Sequence, residues 1–565
     1  MKGKYQMTAS DHASEWERYD LVQFRRISAI GALTAALFFI ASLTPSLSPR
    51  DALVQGVASG LISGIGYEVG LGLVWIWRAL QFSDPKPMRQ RALRRACFVS
   101  AALILVVALA NVGPWRNATR AVLDLPPLDE THVLAIAAIA VGVFALVWVL
   151  LRFFWLAVSR IDALVGRFTP PRLSLAFSIL FGLSLFYVLI EGTAIRFAVQ
   201  FADTALETTD QFIDPGYEQP SNDLHSGSVR SFVRWNGLGQ MGRLFVATAP
   251  TISEIEAFRG SPALDPIRVY IGRRSAETSE ERAELAVSEL IRVGGFERKV
   301  LIVASPTGTG WMDPSAHDAL DIMLGGDVAT VAVQFSYLSS ALALLMHPEK
   351  GLEQTEDLFD AVYNHWSDMP KNNRPKLYVF GLSQGAFNTQ STVPLLDMLS
   401  DPIDGALWVG SPFLSPIWKT VRDNRTIGSP AWRPRFGNGS LVRTLDQFED
   451  VDENMADWGP IRLVFLRYAS DPIVVFTTNS AFARPDWLLD KRASDVSQKL
   501  VWVPIVTMLQ TALDMTIAIQ VEGFGHYYAP IDYIRAWSEL LTPVNWTPEN
   551  SADLADFLHQ RGTEQ

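Results

Sequence analysis

The chain has 565 residues, 49% of them hydrophobic, a net charge of −11 and one cysteine, Cys97. That length exceeds what one hydrophobic core serves, so two or more domains are expected, and the positive mean hydropathy points to membrane segments. One cysteine excludes an internal disulfide framework and argues against a cysteine-based metal site; the acidic balance, with no basic stripe outside the membrane-flanking loops, argues against a nucleic-acid partner.

Five apolar runs approach the roughly 20 residues that a membrane-spanning helix needs: 27–47, 53–75, 96–112, 133–151 and 173–199. Together they predict an N-terminal membrane domain over 1–200, sitting in the bilayer. Lys and Arg cluster before the first run, after the second (Lys86, Arg89, Arg91, Arg94, Arg95) and after the fourth (Arg160, Arg167, Arg172). The alternate loops are poorer in positive charge, with Arg50 in one and Arg116 and Arg120 in the other. By the positive-inside rule the N-terminus is cytoplasmic, and five crossings place everything beyond about residue 200 on the outer face. In the second run Gly56, Gly60 and Gly64 are spaced by four, as are Gly66 and Gly70. Such spacing lets helix backbones approach closely, within the bundle first and between copies as a homo-oligomer second. Glu68 lies in the same run, and an intramembrane carboxylate is a functional candidate by default.

A polar linker over 201–230 precedes a second domain, 231–565. From about residue 267 short apolar runs alternate with amphipathic stretches, the pattern of βα units on a mostly parallel sheet. Strands are expected at 300–304, 328–335, 377–380, 405–409 and 463–468, and helices at 352–366 and 386–399. The stretch 412–460, rich in Pro, Gly, Asn and Trp, reads as a lid-like insertion. The run 500–519, interrupted by Pro504, Gln510 and Asp514, reads as a buried or membrane-facing helix of the outer domain rather than a sixth span.

The strongest chemical signal is Gly381-Leu382-Ser383-Gln384-Gly385, placed directly after an apolar strand and before a helix-like run. A chain that turns sharply from strand to helix forces the serine into a strained conformation; small residues two before and two after make room, and the hydroxyl projects above the sheet at a helix N-terminus. In this order of elements the base follows the nucleophile on a late loop. Of eight histidines only His526 and His559 lie beyond Ser383, and His526 sits between glycines in Gly523-Phe524-Gly525-His526. An acid is expected at the end of a late strand, where Asp471 enters an Asp-Pro turn after 463–468; it would hold the imidazole in the right tautomer. The oxyanion donors are expected from the backbone N–H of Gln384 and from the loop Thr307-Gly308-Thr309, whose glycine permits close approach to a substrate oxygen. No Gly-Lys-Ser/Thr follows that loop and no His or carboxylate cluster has ligand spacing, so neither a nucleotide, a metal nor another cofactor is expected.

With the stretches 235–248, 305–314, 326–338, 377–386, 404–410, 469–472 and 523–527, the chain resembles, over nearly its whole length, the bacterial α/β-hydrolases that carry an N-terminal multi-span domain. Gln384 stands where leucine is frequent, and Phe524 where small or polar residues are commoner. The resemblance implies a Ser383–Asp471–His526 triad, and with the charge pattern of the loops the catalytic domain is expected on the extracytoplasmic face of the bacterial inner membrane. An esterase, lipase or acyltransferase acting on a membrane lipid or other acyl ester is the expected function. The competing reading is a binding or scaffolding module on a hydrolase fold, coupled to a working membrane bundle in envelope assembly or transport.

Overall fold

Proline and polar caps decide where the apolar runs become helices. The computed structural model describes residues 27–83, 85–189, 206–340, 343, 346–392, 401–448, 455–489 and 491–564. Contacts divide the chain into two units: 1–199 with 478–484 and 496–514, and 200–477 with 485–495 and 515–565.

The first unit is helical: α1 (Ala29–Ser42), α2 (Ala52–Ala79), α3 (Pro87–Ala121), α4 (Val133–Val165) and α5 (Pro171–Leu189). Among the described residues three helices, not five, are long and apolar enough to cross a membrane: Ala52–Arg78, Pro87–Ala121 and Val133–Val165. The first apolar run falls short because Ser28 caps its start and a turn with Pro45 and Pro49 ends it. The resulting 14-residue helix is about 21 Å long, against a hydrocarbon core of about 30 Å. The fifth run is covered by α5 as far as residue 189; 190–199, and the basic N-terminus over 1–26, lie outside the described residues, as do Glu191 and the start of the linker.

Five of the six glycines of α2 are consumed within the unit; Gly72 faces open space. A Cβ on Gly56, Gly60 or Gly64 would meet Ile139, Val143 or Val147 of α4 at 2.6–2.7 Å, and one on Gly66 or Gly70 would meet Phe38 or Thr34 of α1 at 2.2–2.5 Å. Glu68 hydrogen-bonds Trp155 and lies near Arg152. Large apolar side chains such as Leu103, Val106, Val141 and Leu146 stand exposed along these helices, a surface suited to lipid rather than water.

In the run 500–519 the structure forms the helix Val506–Asp514, and this helix belongs to the helical unit rather than, as expected, to the second domain. Its polar residues explain the placement. Gln510 Nε2 donates to the carbonyls of Ser42 (3.1 Å) and Thr44 (3.2 Å), satisfying groups that the end of α1 leaves open. Asp514 accepts from Arg50 Nε at 2.8 Å and from the Leu47 N–H at 3.0 Å, with both charged side chains buried. Burial pushes the Asp514 carboxyl up, and the Arg50 charge opposes that shift. Removing one partner of a buried pair strands the other charge, so Asp514→Asn is expected to cost about 3–5 kcal/mol of stability, read as a lower thermal unfolding midpoint of the detergent-solubilised protein.

The second unit is built on a seven-stranded sheet, β1 (Ile267–Ile271), β2 (Val300–Ser305), β3 (Val328–Val333), β4 (Lys376–Leu382), β5 (Gly405–Val409), β6 (Val442–Leu445) and β7 (Arg462–Leu466), in the order β1-β3-β2-β4-β5-β7-β6. Every pairing is parallel. The central strands are buried along almost their whole length because helices cover both faces. The expected strands are present to within a few residues. The helix expected at 352–366 is α6 (Pro348–Asp368), and that expected at 386–399 is α7 (Gln384–Thr392), beyond which 393–400 lies outside the described residues. Within 412–460, where an insertion over the sheet is expected, β6 instead joins the sheet as an edge strand beside β7. A run of contiguous parallel strands, β2-β4-β5-β7, therefore presents its C-terminal ends along one rim, where open α/β sheets bind their ligands.

Candidate active site

Ser383 occupies the step between β4 and α7. Its φ of +56° puts a non-glycine residue in the left-handed region, a strain that persists only where the surroundings enforce it. They do so here through backbone packing. A Cβ on Gly381 would lie 2.5 Å from the backbone of Gly385 and Ala386, and one on Gly385 would lie 2.0 Å from Ser305 O. Ser383 N–H donates to Val409 O (3.0 Å), fixing the turn to the end of β5, and the hydroxyl group sits in a mostly buried residue, 5% exposed.

The next residue along β5, Gly410, has φ +55° and faces an imidazole: a Cβ there would meet His526 Cε1 at 2.4 Å. His526 is thus held beside the strand end that anchors Ser383. Its loop is shaped by Gly523 and Gly525, at φ +79° and +62°, and tied by His526 N–H to Ala518 O (2.7 Å) and by Gly525 N–H to Ser470 Oγ (3.0 Å). His526 Nδ1 lies 2.7 Å from Asp471 Oδ2. A carboxylate acceptor at that distance assigns the proton to Nδ1 and leaves Nε2 as the free lone pair. Nε2 is buried and has no hydrogen-bond partner among the described residues.

Asp471 is fully buried. It caps the short helix Pro472–Val475, Oδ1 accepting from the Ile473 N–H at 2.9 Å, while Oδ2 accepts a second donor, Tyr528 OH, at 2.7 Å. Burial, reinforced by the Asp471 charge, pushes the Tyr528 phenol well above its usual range, so it remains a donor. Arg467, buried over the Trp418 ring, is pushed down to about 10 by burial, and Asp471 is among the charges opposing that shift. Asp495, raised by burial, accepts from the Ser470 N–H at 2.7 Å and steadies the residue before the acid. Tyr528→Phe removes one donor from the buried carboxylate. It is expected to cost about 2 kcal/mol of stability and to lower kcat several-fold while leaving KM nearly unchanged, read in parallel thermal-unfolding and steady-state assays.

The loop after β2 also reaches the rim. Thr307 N–H donates to Trp311 O (3.1 Å) and Gly308 N–H to Ser340 Oγ (3.0 Å), whereas Thr309 N–H has no partner among the described residues. Gln334 Nε2 holds Thr309 O at 3.0 Å, and Tyr270 OH holds Gly310 O at 2.7 Å. Gln384 opens α7, so its backbone N–H is one of those a helix leaves unpaired. Ser383, Asp471, His526, Gln384 and the Thr307–Thr309 loop thus all sit at the C-terminal ends of neighbouring strands. Among the described residues no group of His, Cys, Asp or Glu could hold a metal ion.

The profile of the alpha/beta-hydrolase family matches residues 267–554, and that of the same family's N-terminal region matches residues 43–250. The chain belongs to the alpha/beta-hydrolase family. No curated protein and no solved structure matches it. The first match spans the sheet and every candidate site residue; the second spans α2 to α5 and the segment before β1.

Sequence reasoning missed Tyr528, Ser470, Arg467 and Asp495. Tyr528 had a signal: it stands two residues beyond His526 in the same glycine-bounded loop, and with the loop fixed at Ser470 its hydroxyl reaches the same carboxylate. Asp495 and Arg467 carried none, since nothing local ties either to the site.

Proposed function

We propose that this hydrolase is a membrane-anchored serine esterase, lipase or acyltransferase acting on acyl esters, with envelope lipids of a bacterial inner membrane as the substrate class. The observation that carries the reading is the Asp471–His526 pair, hydrogen-bonded at Nδ1 with Nε2 buried and unpartnered, whose imidazole packs on Gly410 next to the strand end that holds a serine strained to φ +56°. In this reading Ser383 Oγ attacks the ester carbonyl and its proton passes to His526 Nε2; the resulting imidazolium is stabilised by Asp471 and returns the proton to the leaving alcohol. The Gln384 N–H and the Thr309 N–H are the free donors for the oxyanion. In ligand-free enzymes such contacts are commonly long and tighten when substrate arrives.

Charge and the helical unit support one orientation. Arg78, Lys86, Arg89 and Arg91 mark one end of α2 and α3 as cytoplasmic. The opposite end carries the turn of Arg50, to which the helix Val506–Asp514 is bonded through Asp514. The chain that continues into the His526 loop therefore leaves from the end away from the basic loops, which supports an extracytoplasmic catalytic domain. The test is labelling of spheroplasts with a membrane-impermeant fluorophosphonate. Labelling of intact spheroplasts is expected; labelling only after lysis would invert the orientation, and none in either would remove the enzymatic reading.

A further inference from the structure

The end of the helical unit away from the basic loops carries few basic residues, three arginines with incomplete partners, beside the carboxylates Asp51, Asp124, Asp129 and Glu130. Arg50, Arg116 and Arg120 line one open cleft, together with Ser46, Ser48 and Thr119. Two of the three are committed to the fold with only part of their donors. Arg50 gives Nε to Asp514 and Nη2 to Gln510 O, and its Nη1 is buried with no partner. Arg116 gives Nη1 to Thr131 O (2.9 Å) and Nη2 to Arg50 O (2.8 Å), and its Nε is likewise buried and unpartnered. Arg120 makes one hydrogen bond, Nε to Pro126 O at 2.7 Å, and stays half-exposed at the rim. Asp514 neutralises one of these charges, and Asp51, the next carboxylate in the chain, directs Oδ1 to the N-terminus of α2.

A buried guanidinium N–H without an acceptor is costly, and Arg50 and Arg116, from separate elements, each carry one while lining the same cleft among hydroxyl groups. The positive-inside rule gives these arginines no topological role, because they lie at the wrong end for it. An acceptor with several oxygens would complement the three guanidinium charges that line the cleft, and arginine forks match such groups bidentately. Two helices that carry the cleft are of membrane-spanning length, and Arg116 and Arg120 lie in the last turns of α3, beyond its apolar stretch.

We propose that this cleft is a binding site for a phosphate oxyanion, separate from the serine centre, with Arg50, Arg116 and Arg120 as its cationic donors. The phosphate can come from a phospholipid headgroup or from free phosphate in solution, and the experiment separates the two. The full-length protein in detergent micelles is titrated with short-chain phosphatidylglycerol, with inorganic phosphate, and with a diacylglycerol of the same chains, following the thermal unfolding midpoint. Wild type is expected to show a saturable rise with phosphatidylglycerol and none with diacylglycerol. Arg120→Gln and Arg116→Lys are each expected to weaken that binding about tenfold or more, while fluorophosphonate labelling of Arg120→Gln is unchanged. A matching rise with inorganic phosphate, lost in the same variants, identifies a soluble oxyanion as the occupant and upholds the site. Arg116 also braces the fold, so Arg116→Lys can fail to fold; Arg120→Gln removes a half-exposed side chain and keeps the comparison decisive. No saturable response to either phosphate source, or an unchanged affinity in Arg120→Gln, would overturn the proposal.

Discussion

Ser383→Ala is expected to abolish covalent labelling by a fluorophosphonate and to lower ester turnover by about 10⁴-fold or more, while the thermal unfolding midpoint stays close to wild type. The two halves of that expectation rest on different observations. Activity falls because the attacking oxygen is gone and no other hydroxyl can take the same place: the position is fixed by the Ser383 N–H bond to Val409 O and by backbone packing on both flanking glycines. Stability holds because alanine adopts the left-handed conformation at a cost similar to that of serine, and the change deletes one atom. A variant that loses activity and unfolds would instead mean that the serine is structural.

Asp471→Asn is expected to behave differently, with losses in both activity and stability. Every orientation of the new amide is mismatched. With its NH2 at the Oδ2 position it faces two donors, His526 Nδ1 and Tyr528 OH; with its NH2 at the Oδ1 position it faces the Ile473 N–H. Relief comes most readily by moving the imidazole proton to Nε2, which makes that nitrogen a donor and unable to take the serine proton. A fall of about 10⁴-fold in kcat follows from the wrong tautomer, with a stability loss of about 2 kcal/mol for the mispaired buried donor. The comparison with Ser383→Ala is informative because only the acid variant is expected to lower the unfolding midpoint. Fluorophosphonate labelling in Asp471→Asn should be slow rather than absent, since the hydroxyl remains; labelling at the wild-type rate would detach Asp471 from the reaction.

The parts of the site legible in the sequence are those dictated by local sterics. Gly381 and Gly385 announced a turn too tight for any side chain, and the structure places backbone atoms where their Cβ atoms would go. Gly523 and Gly525 likewise marked a loop able to bring His526 to the rim. The central strands were legible because burial on both faces makes them continuous apolar runs, as in β2 and β3. What escaped was decided by partners distant in sequence. The run 27–47 met a length criterion although Pro45 and Pro49 lie in or beside its end, so a helix of 14 residues and a turn counted as one span. Edge strand β6 lies among Pro, Gly and Asn and gains its extended form from pairing with β7. The helix Val506–Asp514 was placed in the wrong unit because its anchor, Arg50, stands 464 residues away. The buried donors around Asp471 show the same limit: Tyr528 is meaningful only once the loop is folded onto Ser470.

The proposed chemistry requires an activated serine at position 383. Its most direct test is to treat the purified full-length protein with a fluorophosphonate and to map the adduct by peptide mass spectrometry. A single stoichiometric adduct on the peptide carrying Ser383, formed in wild type and not in His526→Ala, is the predicted result. An adduct on another residue, or none while the protein remains folded, would contradict it.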